Sequence, residues 1–157
     1  PAIQEVSARG TGDEPRFPRP RVKDSLDFSF SGLKTALLRR AQERGWYPPE
    51  ADTELDSQQV ANVARAFQEA MVDQMVTRTV EAAVKYDAKG VLLGGGVAAN
   101  LLLRQEMAQR SPVQVIVPSP ALCTDNGAMI GAAAWFHLRH GLSYQWDLDV
   151  LPSLRLG

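Results

Sequence analysis

The sequence has little cysteine, almost no net charge and no long hydrophobic run. A single cysteine, Cys123, among 157 residues excludes an intrachain disulfide and a cysteine-rich metal site, which fits a reducing compartment. No apolar run approaches the roughly 18 residues that a membrane span needs, and no secretion-signal pattern is present. We therefore expect a cytoplasmic protein with no membrane contact.

The charges nearly cancel, but they are unevenly distributed. Seventeen Lys and Arg residues against 18 Asp and Glu residues give a net charge of −1, which argues against nucleic-acid binding by bulk electrostatics. Residues 1–40 hold eight basic and five acidic side chains, whereas residues 41–90 hold five and nine. Any RNA contact is therefore expected to be local. The length and a hydrophobic content of 45% fit one globular unit over residues 1–157.

Residues 1–56 are predicted to form loops and short helices. Proline and glycine are dense up to about residue 21, which leaves room for only one short helical turn. Alternating apolar and polar side chains at 26–30 predict a short strand, and residues 33–40 predict a helix after a turn at 31–32.

A long helix is predicted next, beginning at Asp56 or Ser57. Asp56 and Gln59 have the spacing of a capping box, and the helix is expected to end near residue 87. One face should be buried, because apolar residues recur every three or four positions at Val60, Val63, Phe67, Met71 and Met75.

The remainder is predicted to be a parallel βαβα unit at about 91–139, which makes the fold class α/β. Strands at 91–93 and 113–117 alternate with helices at 97–109 and 125–139. This order implies two parallel strands with a right-handed crossover.

Three consecutive glycines, Gly94, Gly95 and Gly96, lie where the first strand turns into a helix. Glycine lets backbone N–H groups approach a ligand closely, and a helix N-terminus favours phosphate or carboxylate. The spacing matches neither the dinucleotide fingerprint nor the P-loop, so a tight turn without a ligand is equally compatible. Asn100, in the first helical turn, could bind a sugar hydroxyl or base edge, or only a local backbone group.

Polar residues also follow the second strand, at the sheet edge where α/β proteins bind ligands. Asp125 could ligate a metal ion there, although an acidic residue that complements the dipole of a helix capped by Thr124 is the commoner explanation. Cys123 is interpreted as a buried inert thiol, because no histidine lies nearby in sequence. His137 and His140 could chelate a metal, but the dipole at a helix end explains them more simply.

Basic and aromatic residues are interleaved in the N-terminal quarter. Such residues can clamp an RNA backbone and stack on unpaired bases, but a buried aromatic turn beneath a solvated basic loop is at least as compatible. The residues are Phe28, Phe30 and Lys34, with Arg16, Arg19, Arg21 and Lys23 upstream.

Three motifs together resemble the bacterial branch of the tRNA threonylcarbamoyladenosine transferase family. They are DFSFSGLKT at 27–35, GGGVAAN at 94–100 and CTDNGAMIG at 123–131. The family also provides the catalytic component of the KEOPS complex and was formerly named O-sialoglycoprotein endopeptidase or glycoprotease. The resemblance covers nearly the whole chain.

The resemblance implies the helix-rich C-terminal portion of an actin/Hsp70/sugar-kinase-like (ASKHA) fold of two lobes. It implies transfer of a threonylcarbamoyl group from threonylcarbamoyl-adenylate to the exocyclic amine of the adenosine beside the anticodon. Asn100 would contact the adenylate, the glycines at 94–96 would lie against its phosphate or sugar, and Asp125 would ligate a metal. Possible tRNA contacts are Lys34, Arg19 and Arg21.

The resemblance also implies ligands and partners. The cofactor would be one divalent metal ion, iron or zinc, shared with a histidine pair that this sequence does not contain. The ligand would be an adenine nucleotide or threonylcarbamoyl-adenylate. The partners would be tRNA, the N-terminal lobe of the same protein, and the paralogous dimerisation subunit and ATPase subunit of the bacterial complex. We expect this chain to be a C-terminal part that is inactive alone.

Two other functions remain open from the sequence. The first is a non-catalytic ATP- or ADP-binding scaffold, which the presence of a His-x-x-x-His helix upstream would argue against. The second is the metallopeptidase of the older family name, which is the least supported because the sequence has no His-Glu-x-x-His motif or its inverse.

Overall fold

The computed structural model describes residues 2–19, 25–49, 55–143, 145, 149 and 153. In these ranges the chain forms five α-helices, two β-strands and two short 3-10 helices. In chain order the elements are α1 (Ala2–Ser7), α2 (Ser31–Glu43), α3 (Ser57–Lys85), β1 (Val91–Leu92), the first 3-10 helix (Gly96–Ala99), α4 (Leu101–Arg110), β2 (Val115–Ile116), the second 3-10 helix (Pro120–Leu122) and α5 (Gly127–Arg139).

The chain divides into two compact units, residues 1–123 and residues 124–157. The first unit contains helices α1 to α4 and both strands, and the second contains α5. None of the helices in the described ranges combines the length and the apolar composition of a membrane span.

The long helix α3 begins where the capping box predicts. The Asp56 carboxylate accepts hydrogen bonds from the backbone N–H groups of Gln58, at 2.8 Å, and Gln59, at 3.3 Å. These bonds satisfy two N–H groups that have no partner within the helix. The helix ends at Lys85, two residues before the predicted end.

One hydrophobic cluster forms where the loop before α2 packs against α2 and α3. Phe17 is only 3% exposed, and its ring meets Phe67 of α3 edge-on, with centroids 5.6 Å apart. The guanidinium of Arg40 lies over the Phe17 ring, 3.9 Å from its centroid. Leu33 of α2 is fully buried in the same cluster. The loop is therefore held against both helices by its aromatic side chain.

The same loop is fixed by a nearly buried carboxylate. Glu14, whose side chain is 5% exposed, accepts two hydrogen bonds from Arg44 Nη2, at 2.8 and 2.9 Å. Arg40 Nη1 lies 3.1 Å from Glu14 and also donates to the carbonyl oxygen of Pro15. One cation in α2 and one at its C-cap thus neutralise one loop carboxylate.

A second hydrophobic cluster lies between α3, the sheet and α4. It contains Val72 and Val76 of α3, Val91 of β1, and Leu103 and Met107 of α4. Both hydrophobic clusters therefore draw side chains from α3.

The two strands pair in parallel, as predicted, with Val91 opposite Val115 and Leu92 opposite Ile116. Val91 faces the second cluster, whereas Leu92 is 77% exposed and Ile116 is 52% exposed. Within the described residues, the other face of this sheet is therefore apolar and uncovered. Helix α5 likewise has no buried residue.

The structure corrects the predicted strand at 26–30. Residues 25–30 have neither helical nor strand hydrogen bonding, because no described strand lies beside them. Phe28 and Phe30, which should share one face of a strand, instead stack at 5.9 Å with Phe28 half exposed. Helix α2 then begins at Ser31, so the predicted turn at 31–32 is its first turn.

Two helix starts also differ from prediction. The predicted helix at 97–109 is a 3-10 helix followed by α4, with the break at Asn100, whose backbone is extended (φ −67°, ψ 121°). The last helix begins at Gly127 rather than residue 125, because Asn126 and not Thr124 is its N-cap. Asn and Thr are both good N-caps, so residue type alone does not distinguish them.

We expect Phe17→Ala to lower the free energy of unfolding by about 3–5 kcal/mol, because it leaves a cavity against Phe67. Phe28→Ala is the matched control: that ring is half exposed, so its removal should cost less than about 1 kcal/mol. Urea denaturation of both variants in the full-length protein measures the difference. Equal losses would show that the loop is not held by Phe17.

Candidate nucleotide-binding site

The glycine turn follows β1 and is open to solvent. The N–H of Leu93 donates to the carbonyl oxygen of Ile116 at 3.0 Å, which ties the start of the turn to β2. Gly95 has φ 79° and ψ 170°, a conformation that only glycine adopts easily. A Cβ atom built on any of Gly94, Gly95 or Gly96 would meet nothing within 4 Å. The space that their missing side chains leave is therefore free for a ligand.

The turn presents a row of unused hydrogen-bond donors. In the described part of the chain, the backbone N–H groups of Gly94, Gly95, Gly96 and Val97 have no acceptor. All four residues are exposed. Consecutive N–H groups in such a turn form an anion-binding concavity. The geometry fits the predicted phosphate contact of the glycines.

Asn100 is the N-cap of α4, and its amide is held from both sides. Oδ1 accepts a hydrogen bond from the N–H of Leu103 at 3.0 Å, and Nδ2 donates to Oε1 of Gln68 at 3.2 Å. Gln68 is a buried residue of α3. One N–H of the Asn100 amide remains available, because a primary amide has two. Asn100 can therefore donate to a ligand without leaving its cap position.

The N-terminus of α4 offers a ligand fewer backbone N–H donors than the sequence predicts. The N–H of Leu101 donates to Gln4 Oε1, that of Leu103 to the Asn100 side chain, and that of Arg104 to the Asn100 carbonyl. Only Leu102 of the first four N–H groups has no acceptor among the described residues. The donors that can hold an anion are therefore those of the glycine turn.

Arg104 fastens the 3-10 helix that follows the glycines. Its Nε donates to the carbonyl oxygen of Ala98 at 2.5 Å, and its Nη2 donates to that of Pro118 at 2.9 Å. The loops that follow β1 and β2 are thereby joined by one guanidinium. The same Nη2 lies 3.0 Å from Cys123 Sγ, which is buried as predicted. The thiol has a structural partner in Arg104.

Asp125 belongs to the second unit, where it lies just before α5. The side chain of Asn126 caps this helix, accepting from the N–H of Met129 at 3.0 Å. Asp125 is exposed and forms no hydrogen bond or ion pair with the described residues. Asn126, and not Thr124 or Asp125, is therefore the N-cap of α5, and Asp125 lies one residue before it, where a carboxylate can still complement the helix dipole. No group of three potential metal ligands occurs within the described ranges, so a metal site needs ligands beyond those that the structure places.

The remaining predicted residues are dispersed. Lys34 is exposed in the first turn of α2. Arg19 forms an ion pair with Asp73 of α3 at 3.2 Å, and Arg21 lies outside the described residues. His140 Nδ1 lies 2.9 Å from the carbonyl oxygen of Phe136, one helical turn away.

Sequence reasoning missed Gln68 and Arg104. Arg104 follows Asn100 by four residues and so shares its side of a helix, a spacing that could have identified it. Gln68 lies among Ala66, Phe67 and Ala70 of the buried face, and a polar residue at such a position needs a hydrogen-bond partner. Neither signal identifies the partner, which for Gln68 is 32 residues away.

We expect Gly95→Ala to lower the free energy of unfolding by about 1–3 kcal/mol, because alanine is strained at this positive φ. Gly94→Ala is the control: its Cβ meets open space and its φ is not positive, so the change should be within roughly 0.5 kcal/mol. Urea denaturation compares the two. A Gly95→Ala variant as stable as Gly94→Ala would contradict this turn geometry.

Comparisons with known proteins agree on one family. Residues 1–132 match the family model of tRNA N6-adenosine threonylcarbamoyltransferase. The chain is 42% identical over 168 residues to the protein of that name from Thermomicrobium roseum, covering 99% of this chain and 46% of that protein. It is 41% identical over 160 residues to the one from Symbiobacterium thermophilum, covering 100% and 45%.

A more distant relative gives the same result. The tRNA N6-adenosine threonylcarbamoyltransferase of Clostridium botulinum is 35% identical over 161 residues, covering 100% of this chain and 45% of that protein. The chain thus spans a little under half the length of these curated relatives. The family model and the relatives confirm the resemblance carried by the three motifs: the chain belongs to the tRNA N6-adenosine threonylcarbamoyltransferase family.

Proposed function

We propose that the full-length protein transfers a threonylcarbamoyl group from threonylcarbamoyl-adenylate to the exocyclic amine of the adenosine beside the anticodon of tRNA. The observation that supports this most directly is the row of N–H groups at the glycine turn that have no acceptor among the described residues, in a chain of this family. In the transfer, the amine nitrogen bonds to the carbamoyl carbon, and the bond from that carbon to the phosphate oxygen breaks. AMP leaves with the electron pair, and the amine loses one proton.

The residues of this chain would bind and orient the adenylate. The N–H groups of Gly94 to Val97 would donate to its phosphate oxygens, where charge increases as AMP leaves. The free N–H of Asn100 would donate to the sugar or the base. Arg104 and Gln68 would keep the turn and the Asn100 amide in place before the ligand arrives. Donors fixed in advance need little reorganisation during the reaction.

The described residues do not form a metal site by themselves, because Asp125 is a single exposed carboxylate. In the full-length protein, we propose that Asp125 is one ligand of a divalent iron or zinc ion, together with histidines elsewhere. Because Asp125 has no partner among the described residues, it would break no hydrogen bond or ion pair with them on binding a cation.

The proposal includes the fold and setting that the family resemblance implies. The chain would be the helix-rich C-terminal portion of a two-lobed ASKHA protein in the cytoplasm. Its partners would be tRNA, the other lobe, a paralogous dimerisation subunit and an ATPase subunit. Lys34, Arg19 and Arg21 would contact the tRNA.

The direct test incubates the full-length protein with its partner subunits, unmodified tRNA and threonylcarbamoyl-adenylate. Mass spectrometry of the digested nucleosides should detect threonylcarbamoyladenosine. A protein that binds ATP or ADP but forms no modified nucleoside under these conditions would instead be the non-catalytic scaffold. The isolated 157-residue chain should form no product, because it lacks most of the metal ligands.

The role of Asp125 has its own test in the full-length protein. Asp125→Asn should reduce bound metal sharply and slow transfer by about 100-fold or more, since the neutral amide is a poor ligand. In portions of each preparation from which the metal has been removed, its free energy of unfolding should hardly change, because the side chain has no partner among the described residues.

Asn126→Ala is the matched control for Asp125→Asn. It removes the cap of α5 and should cost about 1 kcal/mol of stability while metal content stays normal. Metal content, urea denaturation and single-turnover rate are measured on the same preparations. Full metal occupancy and a normal rate in Asp125→Asn would contradict the proposed ligand.

A further inference from the structure

A cavity of about 220 Å³ lies between the loop at 12–19 and helix α3, and no residue of the glycine turn lines it. Its charged lining consists of three arginines, Arg16, Arg19 and Arg65, and two glutamates, Glu14 and Glu69. The size suits a small polar group rather than a complete nucleotide, because sites for larger ligands usually exceed about 300 Å³.

The walls of this cavity are fixed without a ligand. Gly10, just before the loop, lies so close to α3 that a Cβ atom would come within 2.6 Å of the carbonyl oxygen of Ala61. The N–H of Thr11 donates to Asn62 Oδ1 at 2.8 Å. Glu14 and Phe17 hold the rest of the loop through their buried contacts. A ligand would therefore meet a preformed cavity.

The two carboxylates of the lining are already neutralised. Arg40 and Arg44 bind Glu14 from α2, and Arg65 Nε donates to Glu69 at 2.9 Å. Glu14 therefore adds no uncompensated negative charge to the cavity, whereas Glu69 cancels the charge of Arg65, and Arg16 is the lining arginine with no paired carboxylate among the described residues.

The guanidinium groups keep unused donors. Arg16 is exposed and has no acceptor among the described residues. Arg19 uses only Nε, toward Asp73, and Arg65 uses Nε toward Glu69 and Nη1 toward the Gly10 carbonyl. Arginine has five N–H donors and no acceptor, so the unused capacity suits a group with several acceptor oxygens, and an anion forms the stronger, charge-assisted bonds.

We propose that this cavity binds a backbone phosphate of the tRNA, with Arg16 and Arg65 as contacts in addition to Arg19. The inference rests on the proposed function, which makes tRNA the substrate. A phosphate offers enough oxygens to accept from more than one guanidinium, and such contacts position the RNA without reading its sequence. A chain of net charge −1 needs local contacts of this kind.

The test uses Arg16→Ala in the full-length protein with its partner subunits, because this side chain supports no other described residue. Its Kd for tRNA should rise roughly tenfold, and the slope of log K against log salt should fall by about 1, as for one lost phosphate contact. The KM for tRNA should rise while kcat stays unchanged. Arg16→Lys should restore part of the affinity.

Arg39→Ala is the matched control, since Arg39 is also an exposed arginine without a described partner but does not line the cavity. It should leave the Kd and the salt slope unchanged. Equal effects of both variants, or no effect of Arg16→Ala, would overturn the proposal, as would weaker binding of a protein subunit with tRNA affinity intact.

The tRNA titration needs no turnover, so it separates the two proposals. A wild-type protein that binds tRNA through Arg16 but forms no modified nucleoside would refute the proposed reaction and leave the phosphate contact supported. A protein that modifies tRNA, with unchanged binding in Arg16→Ala, would refute the contact alone.

Discussion

Helix α3 is the element on which both hydrophobic clusters of the first unit depend. Phe67 packs against the loop before α2, and Val76 packs toward the sheet and α4. The same helix carries Arg65 at the charged cavity and Gln68 against the Asn100 amide, three residues apart. Residues at this spacing are neighbours on one helix surface. The cavity and the glycine site therefore share one turn of α3 as a common support.

The start of α3 and the position of β1 could be predicted because their causes are local. The Asp56 cap acts over three residues, and the apolar run at 91–93 has few alternatives to a buried strand. The buried face of α3 was predicted less well. Ala66 and Ala70 are buried beside Val63 and Phe67, because the helix is covered from more than one side. The predicted apolar stripe assumed that only one face of the helix is buried.

The remaining differences arise from contacts that are distant in sequence. The alternation of apolar and polar residues at 26–30 is typical of a strand, but a strand needs a neighbouring strand with which to form hydrogen bonds. Here the Ser29 carbonyl accepts a hydrogen bond from the side chain of Gln74 in α3 instead. The break at Asn100 depends on Gln68, which is 32 residues away, and on Gln4, which is 97 residues from Leu101. No periodicity within the segment contains this information. The glycines and Asn100 could thus be identified as candidates, whereas the residues that hold them required the structure.

The two candidate anion sites differ in the kind of donor that they use. The glycine turn offers neutral N–H groups. The first N–H groups of α4 add little to them, because most of these already donate to Gln4 and Asn100. The cavity offers guanidinium groups: that of Arg16, which has no paired carboxylate among the described residues, and that of Arg65, which keeps unused N–H groups beside its ion pair with Glu69. Counterion release from a polyanion depends on protein cations, so salt should weaken contacts at the cavity far more than contacts at the glycines. Under the proposed function, a chain with almost no net charge would in this way hold a small adenylate and a large RNA by separate means.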